Sequence, residues 1–359
     1  MEPFAYNACR GRTRQRSCGH RESDSKETVM TLREPLTFAP VYKDYPWGGR
    51  RIETLLGRAL PEGIVAESWE VSSREEGMSV ADRGPLRGKT LAELHATYGP
   101  LLAGTAAPPG LFPLLIKILD VRERISLQVH PGDESAEGEP KTEMWYGLEG
   151  MQESRIFAGF EPGASPETVR AALQENRVEA LLRPHRAHAH DAFFLPGGRV
   201  HAADAGCLFF EAQTNSNTTF RLHDWNRGGA DGSIRPLHLE EGLRAIDWTD
   251  RGSVHSEPSL VSSDARGEQW SLVKSRHFRV DRLRLFGNWR LGHDARSMRI
   301  LFPLDGAVLL RGDAFELHLP RARTALLPAT LPACEVAPAE TKSGGPAGAA
   351  GTQALLVSL

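Results

Sequence analysis

The sequence predicts a mainly β protein, a barrel or sandwich of short strands with small helical insertions. Apolar runs of strand length recur from residue 36 to about 250, with Gly and Pro between them. Ile125-Ser126-Leu127-Gln128-Val129-His130 alternates apolar with polar residues, as a half-buried strand does, and sets Ser126, Gln128 and His130 on one side. Leu114-Leu115-Ile116-Lys117-Ile118-Leu119 is a second β-rich run.

Ahead of these strands, residues 1–33 read as a disordered basic extension, because Arg10, Arg12, Arg14, Arg16 and Arg21 stand among small polar residues. No apolar central run marks a secretory signal, and a transit-like role is the minor reading. Cys9, Cys18 and His20 fit a solvated tail better than a metal cluster, and Met30 is an alternative start. Within the unit predicted over 34–250, residues 166–183 have helical spacing, with Val169, Leu173 and Val178 or Leu181 on one side. Ser165 is its expected N-cap and Pro166 suits the first turn. Residues 192–195 return to strand before the Pro196-Gly197-Gly198 turn. The polar stretch 251–267 reads as a linker. Strand-like runs at 278–285, 297–302, 307–310, 325–327 and 354–359 then predict a second β unit over 268–359, with a loose Gly/Ala-rich loop near 342–351.

At 359 residues the chain suits one large or two modest domains. Hydrophobic content of 40% and charged content of 25% are ordinary for a soluble globular protein. A net charge of -3 leaves no basic excess for phosphate backbones, which argues against a nucleic-acid partner. No apolar run nears the roughly 18 residues that cross a bilayer, so no membrane role is expected. Cys9, Cys18, Cys207 and Cys334 are scattered, as in a reducing, cytoplasmic protein without a disulfide framework; Cys207 reads as a small core residue.

Four candidate metal ligands lie in turn-punctuated, strand-like sequence. Gln128 and His130 are two apart and share a strand face; Glu143 follows at a hairpin-sized interval, and His201 comes just past Pro196-Gly197-Gly198. A Gln/His/Glu/His set of oxygen and nitrogen donors suits one divalent ion such as zinc or manganese. Each residue alone has a blander reading: Gln128 as a hydrogen-bonded amide, Lys117 as a strand-end lysine reaching solvent, Glu211 as the partner of a nearby Arg. His188 and His190 have metal-pair spacing, yet with His185 they fall in what reads as a polar connector.

Several segments together resemble the type I mannose-6-phosphate isomerases, zinc-dependent cupins, in their short bacterial branch. They are Phe112-Pro113-Leu114-Leu115-Ile116-Lys117, Ser126-Leu127-Gln128-Val129-His130-Pro131, Lys141-Thr142-Glu143-Met144-Trp145-Tyr146 and Pro196-x-Gly198-x-x-His201-Ala202. Thr218-Thr219-Phe220-Arg221 carries the family's Thr-Thr-aromatic-Arg signature, and Pro46-Trp47-Gly48-Gly49 and Glu67-Ser68-Trp69-Glu70 fit the same branch. The resemblance covers residues 36–250 well and the remainder weakly.

That resemblance implies a jelly-roll cupin followed by a degenerate cupin-like domain that lacks a metal site, since Leu327-Pro328-Ala329-Thr330-Leu331-Pro332 has no histidine where an active copy would. It implies interconversion of mannose 6-phosphate and fructose 6-phosphate through an enediol, by a monomer or homodimer. It places the zinc on Gln128, His130, Glu143 and His201, the active-site groups on Lys117, Lys141, Glu211 and Arg221, and Ser126 beside the phosphate. Lys141 is the expected acid/base, its ammonium pKa lowered by a neighbouring metal, and Arg221 the electrostatic stabiliser. His223 and Asp224, beside Arg221, are expected to serve local hydrogen bonding, with strand alternation turning His223 with Arg221 and Asp224 away. Two departures stand out: Pro140 occupies the place of a histidine found in larger members, and His190 that of a turn glycine. The rival readings are an isomerase of an unphosphorylated sugar, a non-catalytic sugar-phosphate binder, and a metal-dependent oxygenase.

Overall fold

The computed structural model describes residues 32–228, 234–339 and 351–359. The predicted basic extension up to residue 31, with Met30, and nearly all of the Gly/Ala-rich loop lie outside the described residues. Four antiparallel sheets of five, six, eight and four strands stack in that order, with an apolar core at each junction. The fold is mainly β, as the sequence predicts.

The six-stranded sheet runs Ala192–Leu195, Glu143–Gly147, Leu208–Thr214, Leu114–Asp120, Glu67–Val71 and Val41–Lys43. Both its faces are covered, which is why Leu114–Asp120 is buried along its whole length. Leu114, Ile116 and Ile118 pack toward the eight-stranded sheet; Leu119 and the neighbouring Trp145 and Phe209 turn the other way, into the barrel. Lys117 has the parity of Leu119, so it points inward instead of reaching solvent. The barrel is closed by the five-stranded sheet Phe220–His223, Leu127–Val129, His201–Ala203, Ser154–Phe160 and Leu182–Ala187. Leu127 and Val129 belong to the same cluster as Leu222, Leu243 and Ile246, under helix Leu239–Ala245, and Gln128 between them faces the opposite way.

The predicted helix over 166–183 is shorter. Ser165 caps Pro166–Gln174 with a reciprocal Ser165/Thr168 bond pair, but the helix stops there; Asn176 sits at φ 54°, and Val178–Leu181 is one 3-10 turn. The polar connector expected to hold His185, His188 and His190 begins as the strand Leu182–Ala187, with His185 half-buried against Ala158 O at 3.3 Å. His190, at the expected glycine position, adopts φ 72°, the left-handed conformation that favours glycine; Tyr146 Oη lies 3.1 Å from its Nδ1 and Glu149 pairs with its Nε2 at 2.9 Å.

The stretch read as a linker, 251–267, contains the strand Ser259–Asp264, which pairs with Gly267–Lys274 at the edge of the eight-stranded sheet. All six residues are exposed, so no core face imposes an apolar alternation on them. That sheet continues through Arg279–Leu285, Thr352–Ser358, Arg299–Pro303 and Ala325–Leu327, and ends on two N-terminal strands, Leu36–Ala39 and Val80–Ala81. Its strands alternate between two cores: Ile300 and Phe302 pack under the six-stranded sheet, Phe302 against Phe210 at 4.8 Å between ring centres. Leu301 faces the four-stranded sheet, beside Leu310, Leu327 and Val336, so the interior of the C-terminal unit is filled mostly with aliphatic side chains, with Trp289 and Cys334 among them.

A buried ion pair, Arg58 with Glu70, joins the two ends of the chain: Arg58 contacts Glu70 Oε1 at 2.6 Å and Oε2 at 2.9 Å and donates to Ala322 O. Removing one charge of such a pair strands the other, at a cost of about 3 kcal/mol or more. Glu70→Gln is therefore expected to lower the unfolding free energy by about that amount, measured by urea denaturation.

Candidate active site

Strand register brings the predicted residues together. His201 pairs directly with Gln128, Arg221 pairs with Gln128 on its other edge, and Glu211 pairs with Lys117. The Pro196-Gly197-Gly198 turn then closes on the chain after His130. A Cβ on Gly197 would sit 2.4 Å from Pro131 O, Gly198 has φ 88°, and Gly198 N donates to His130 O at 2.8 Å. Both glycines are thus required for the two histidines to meet.

Donor atoms of His130, Glu143 and His201 all lie within 4.8 Å of one another, and all three residues are buried. Each histidine has its tautomer fixed from behind. His130 Nδ1 is 2.9 Å from Thr218 O, and His201 Nδ1 is 2.9 Å from Arg199 O. A carbonyl oxygen only accepts, so both Nδ1 atoms carry hydrogen, and in the neutral ring it is Nε2 that presents a lone pair. Both Nε2 atoms face Glu143: His201 Nε2 lies 3.1 Å from Oε1 and His130 Nε2 lies 3.4 Å from Oε2.

These are contacts between two acceptors, and they are favourable only with a cation among them. Lys141 Nζ is 2.7 Å from Glu143 Oε2 and 3.2 Å from His130 Nε2, yet neither Glu143 oxygen has a partner aligned as a hydrogen bond. Burial opposes the charge on Glu143, but the ammonium of Lys141 outweighs it and holds the carboxyl well below the usual range. Burial, with Lys141 beside it, pushes His130 down to about 3, so the ring is a neutral donor. The donor set fits a divalent ion. Gln128 is the loosest member: its Nε2 approaches His201 Nε2 at 3.2 Å, and an amide ligates through oxygen, so joining the set requires the amide to turn over.

Beside this cluster opens a cavity of about 250 Å³ lined by Ser126, Gln128, Lys117, Lys141, Glu211 and Arg221. Every predicted catalytic and substrate residue therefore faces one space. Lys117 is 3.3 Å from Glu211 and 3.4 Å from Glu67. Burial works against its charge, but Glu211, Glu67 and Glu143 prevail and raise its pKa, which locks it as an ammonium. Glu211 is raised, because burial outweighs Lys117; its Oε2 accepts from Trp145 Nε1 at 2.8 Å. Burial, with the like charge of Arg235, lowers Arg221, whose Nη1 donates to Pro236 O at 2.9 Å.

Sequence reasoning missed several lining residues. Glu67, Trp145 and Thr219 lie in the family motifs, and Asn217 beside one, with no role expected of them; Tyr45 lies in none. Arg235, 14 residues past Arg221, left no signal: it lines the cavity held by Asp224 at 2.8 Å. His223 and Asp224 serve local hydrogen bonding, as expected, accepting from Trp225 N and Arg235, but His223 does not share the direction of Arg221. A register shift between them sends His223 to Asn176 Oδ1 at 3.0 Å, outside the cavity. His185, His188 and His190 also stay away from it. Cys207 is buried in the barrel core, where desolvation raises its thiol to about 12.

The comparisons agree with this geometry. The sequence profile of the phosphomannose isomerase type I catalytic domain matches residues 36–155. Mannose-6-phosphate isomerase ManA of Bacillus subtilis is 34% identical over 265 residues, covering 71% of this chain and 81% of its own. The mannose-6-phosphate isomerase of Streptococcus mutans is 30% identical, over 79% and 92%. The crystal structure of the Bacillus subtilis mannose 6-phosphate isomerase superposes with a TM-score of 0.80 at 28% identity, over 90% of this chain and 99% of that one. With order, register and relatives in accord, this chain belongs to the type I mannose-6-phosphate isomerase family.

Proposed function

We propose that this protein interconverts mannose 6-phosphate and fructose 6-phosphate, using one zinc ion per chain held by His130, Glu143, His201 and Gln128. One observation carries the metal assignment: two imidazole Nε2 atoms, each with its Nδ1 turned to a backbone carbonyl, converge on a buried carboxylate whose oxygens lack hydrogen bonds. A bound divalent ion supplies Lewis acidity beside the carbonyl and hydroxyl oxygens of the sugar.

In the aldose-to-ketose direction the C2 proton leaves while the C1 carbonyl oxygen gains one, giving an enediol. The O2 proton then leaves while C1 gains one. Lys141 takes the proton from C2 and returns it to C1; its Nζ is the cavity-lining amine nearest the ligand cluster. Arg221 stays cationic and offsets charge growing on the enediol oxygens. Lys117, locked as an ammonium between Glu211 and Glu67, holds charge and orientation and does not abstract a proton. Ser126, at the cavity wall, is placed to meet the phosphate.

We place the protein in the cytoplasm, supported by the buried free thiols Cys207 and Cys334, as a monomer or homodimer. Among the described residues no helix is long and apolar enough to cross a membrane. The two-unit organisation, a catalytic barrel and a packing unit, is likewise proposed, and the mostly aliphatic interior of the latter supports it. Assay with mannose 6-phosphate and with mannose, before and after chelation and zinc add-back, tests the function. Turnover of the phosphorylated sugar alone, lost on chelation and restored by zinc, is expected; no turnover of either sugar by the zinc-loaded protein overturns it.

A further inference from the structure

Arg199 occupies a position that the Pro196-x-Gly198-x-x-His201 signature leaves open, yet it is only 5% exposed. All five of its guanidinium N–H donors are engaged. Nε and Nη2 grip Asp250 at 2.6 and 2.7 Å, Nη1 reaches Phe194 O at 2.9 Å and Ser253 O at 3.1 Å, and Nη2 also reaches Gly252 O at 3.2 Å. Such a fork is rigid, because each bond restricts the same plane. The main-chain oxygen of this residue is the acceptor for His201 Nδ1. Phe194, on the strand Ala192–Leu195, is paired in register with Met144, and the next residue, Leu195, is paired with Glu143.

We infer that Arg199, clamped by Asp250, is a positioning residue for the metal centre: it fixes the carbonyl that orients His201 and ties that segment to the strand beside Glu143. It touches neither substrate nor metal. The inference rests on His201 and Glu143 being ligands. Outer partners of metal-bound histidines of this kind typically change metal affinity by about 10–100-fold when lost.

The test is the zinc dissociation constant of the full-length protein, measured by competition with a chromophoric chelator. Arg199→Met is expected to weaken zinc binding about 10–100-fold. Arg199→Lys, which keeps the charge and loses the fork, falls between it and the parent, and Asp250→Asn shifts in the same direction. Glu70→Gln breaks a comparably buried pair remote from the site and is expected to lose stability with zinc affinity unchanged. Should Arg199→Met fail to fold, the Lys and Asn variants decide. Unchanged zinc affinity in folded Arg199 or Asp250 variants, or an equal loss in Glu70→Gln, overturns the inference. A parent protein that binds no zinc overturns the ligand assignment instead, so the two failures are told apart.

Discussion

Replacing His201 by alanine is expected to lower kcat/KM for mannose 6-phosphate by at least about 10³-fold, the worth of roughly 4 kcal/mol of Lewis-acid stabilisation. His201 Nε2 faces Glu143 Oε1 at 3.1 Å and is the imidazole whose tautomer Arg199 O fixes. His130, Glu143 and a reoriented Gln128 remain in the variant, but a three-donor set holds zinc far less tightly than four. Misfolding makes a different forecast. With the metal stripped from both, the variant loses the bond to Arg199 O along with the contact to Glu143, so it is expected to keep a cooperative melting transition at a modestly lower temperature than the parent. A variant that retains turnover within tenfold of the parent sinks the ligand assignment.

Lys141→Met is the second large effect. Removing a positioned acid/base typically costs about 10²–10⁴-fold in kcat, and KM is expected to move little, because Lys117, Arg221 and Arg235 still face the cavity. Metal binding separates this role from a structural one. The ammonium 2.7 Å from Glu143 Oε2 competes with a metal for the same carboxylate, so zinc binding in Lys141→Met is expected to be unchanged or tighter. Near-normal turnover in a zinc-loaded variant removes Lys141 from proton transfer.

The ligand cluster was legible because two-residue periodicity is rigid. Once Leu127 and Val129 are taken into a core, Gln128 has one direction left, and Lys117 and Glu211 follow from their parity with Leu119 and Phe209. Helical spacing was a weaker guide. Val169 and Leu173 do pack inward, but Asn176 turns left-handed after them and Val178 continues the apolar stripe from a separate turn. His223 shows the limit of alternation, since a single register shift undoes it. Arg235 and the Arg199 clamp depend on partners brought close by the tertiary fold, 11 and 51 residues away, and no local pattern encodes such distances. The exposed strand Ser259–Asp264 lacked the apolar face by which strands are noticed.

The strand Leu36–Ala39 has a consequence for how the chain is made. On one edge it pairs with the nearby Val80–Ala81; on the other its neighbour is Ala325–Leu327, with Leu36 opposite Leu326 across some 290 residues of sequence. At roughly 5–20 residues per second of synthesis, about 15–60 s pass on the ribosome before that partner exists. During that interval Leu36 and Phe38, destined for the central core, have no completed sheet to enter. The barrel that holds His130, Glu143 and His201 can form early, but the strand Leu36–Ala39 waits for Ala325–Leu327, so a segment made late completes the seal on one made early.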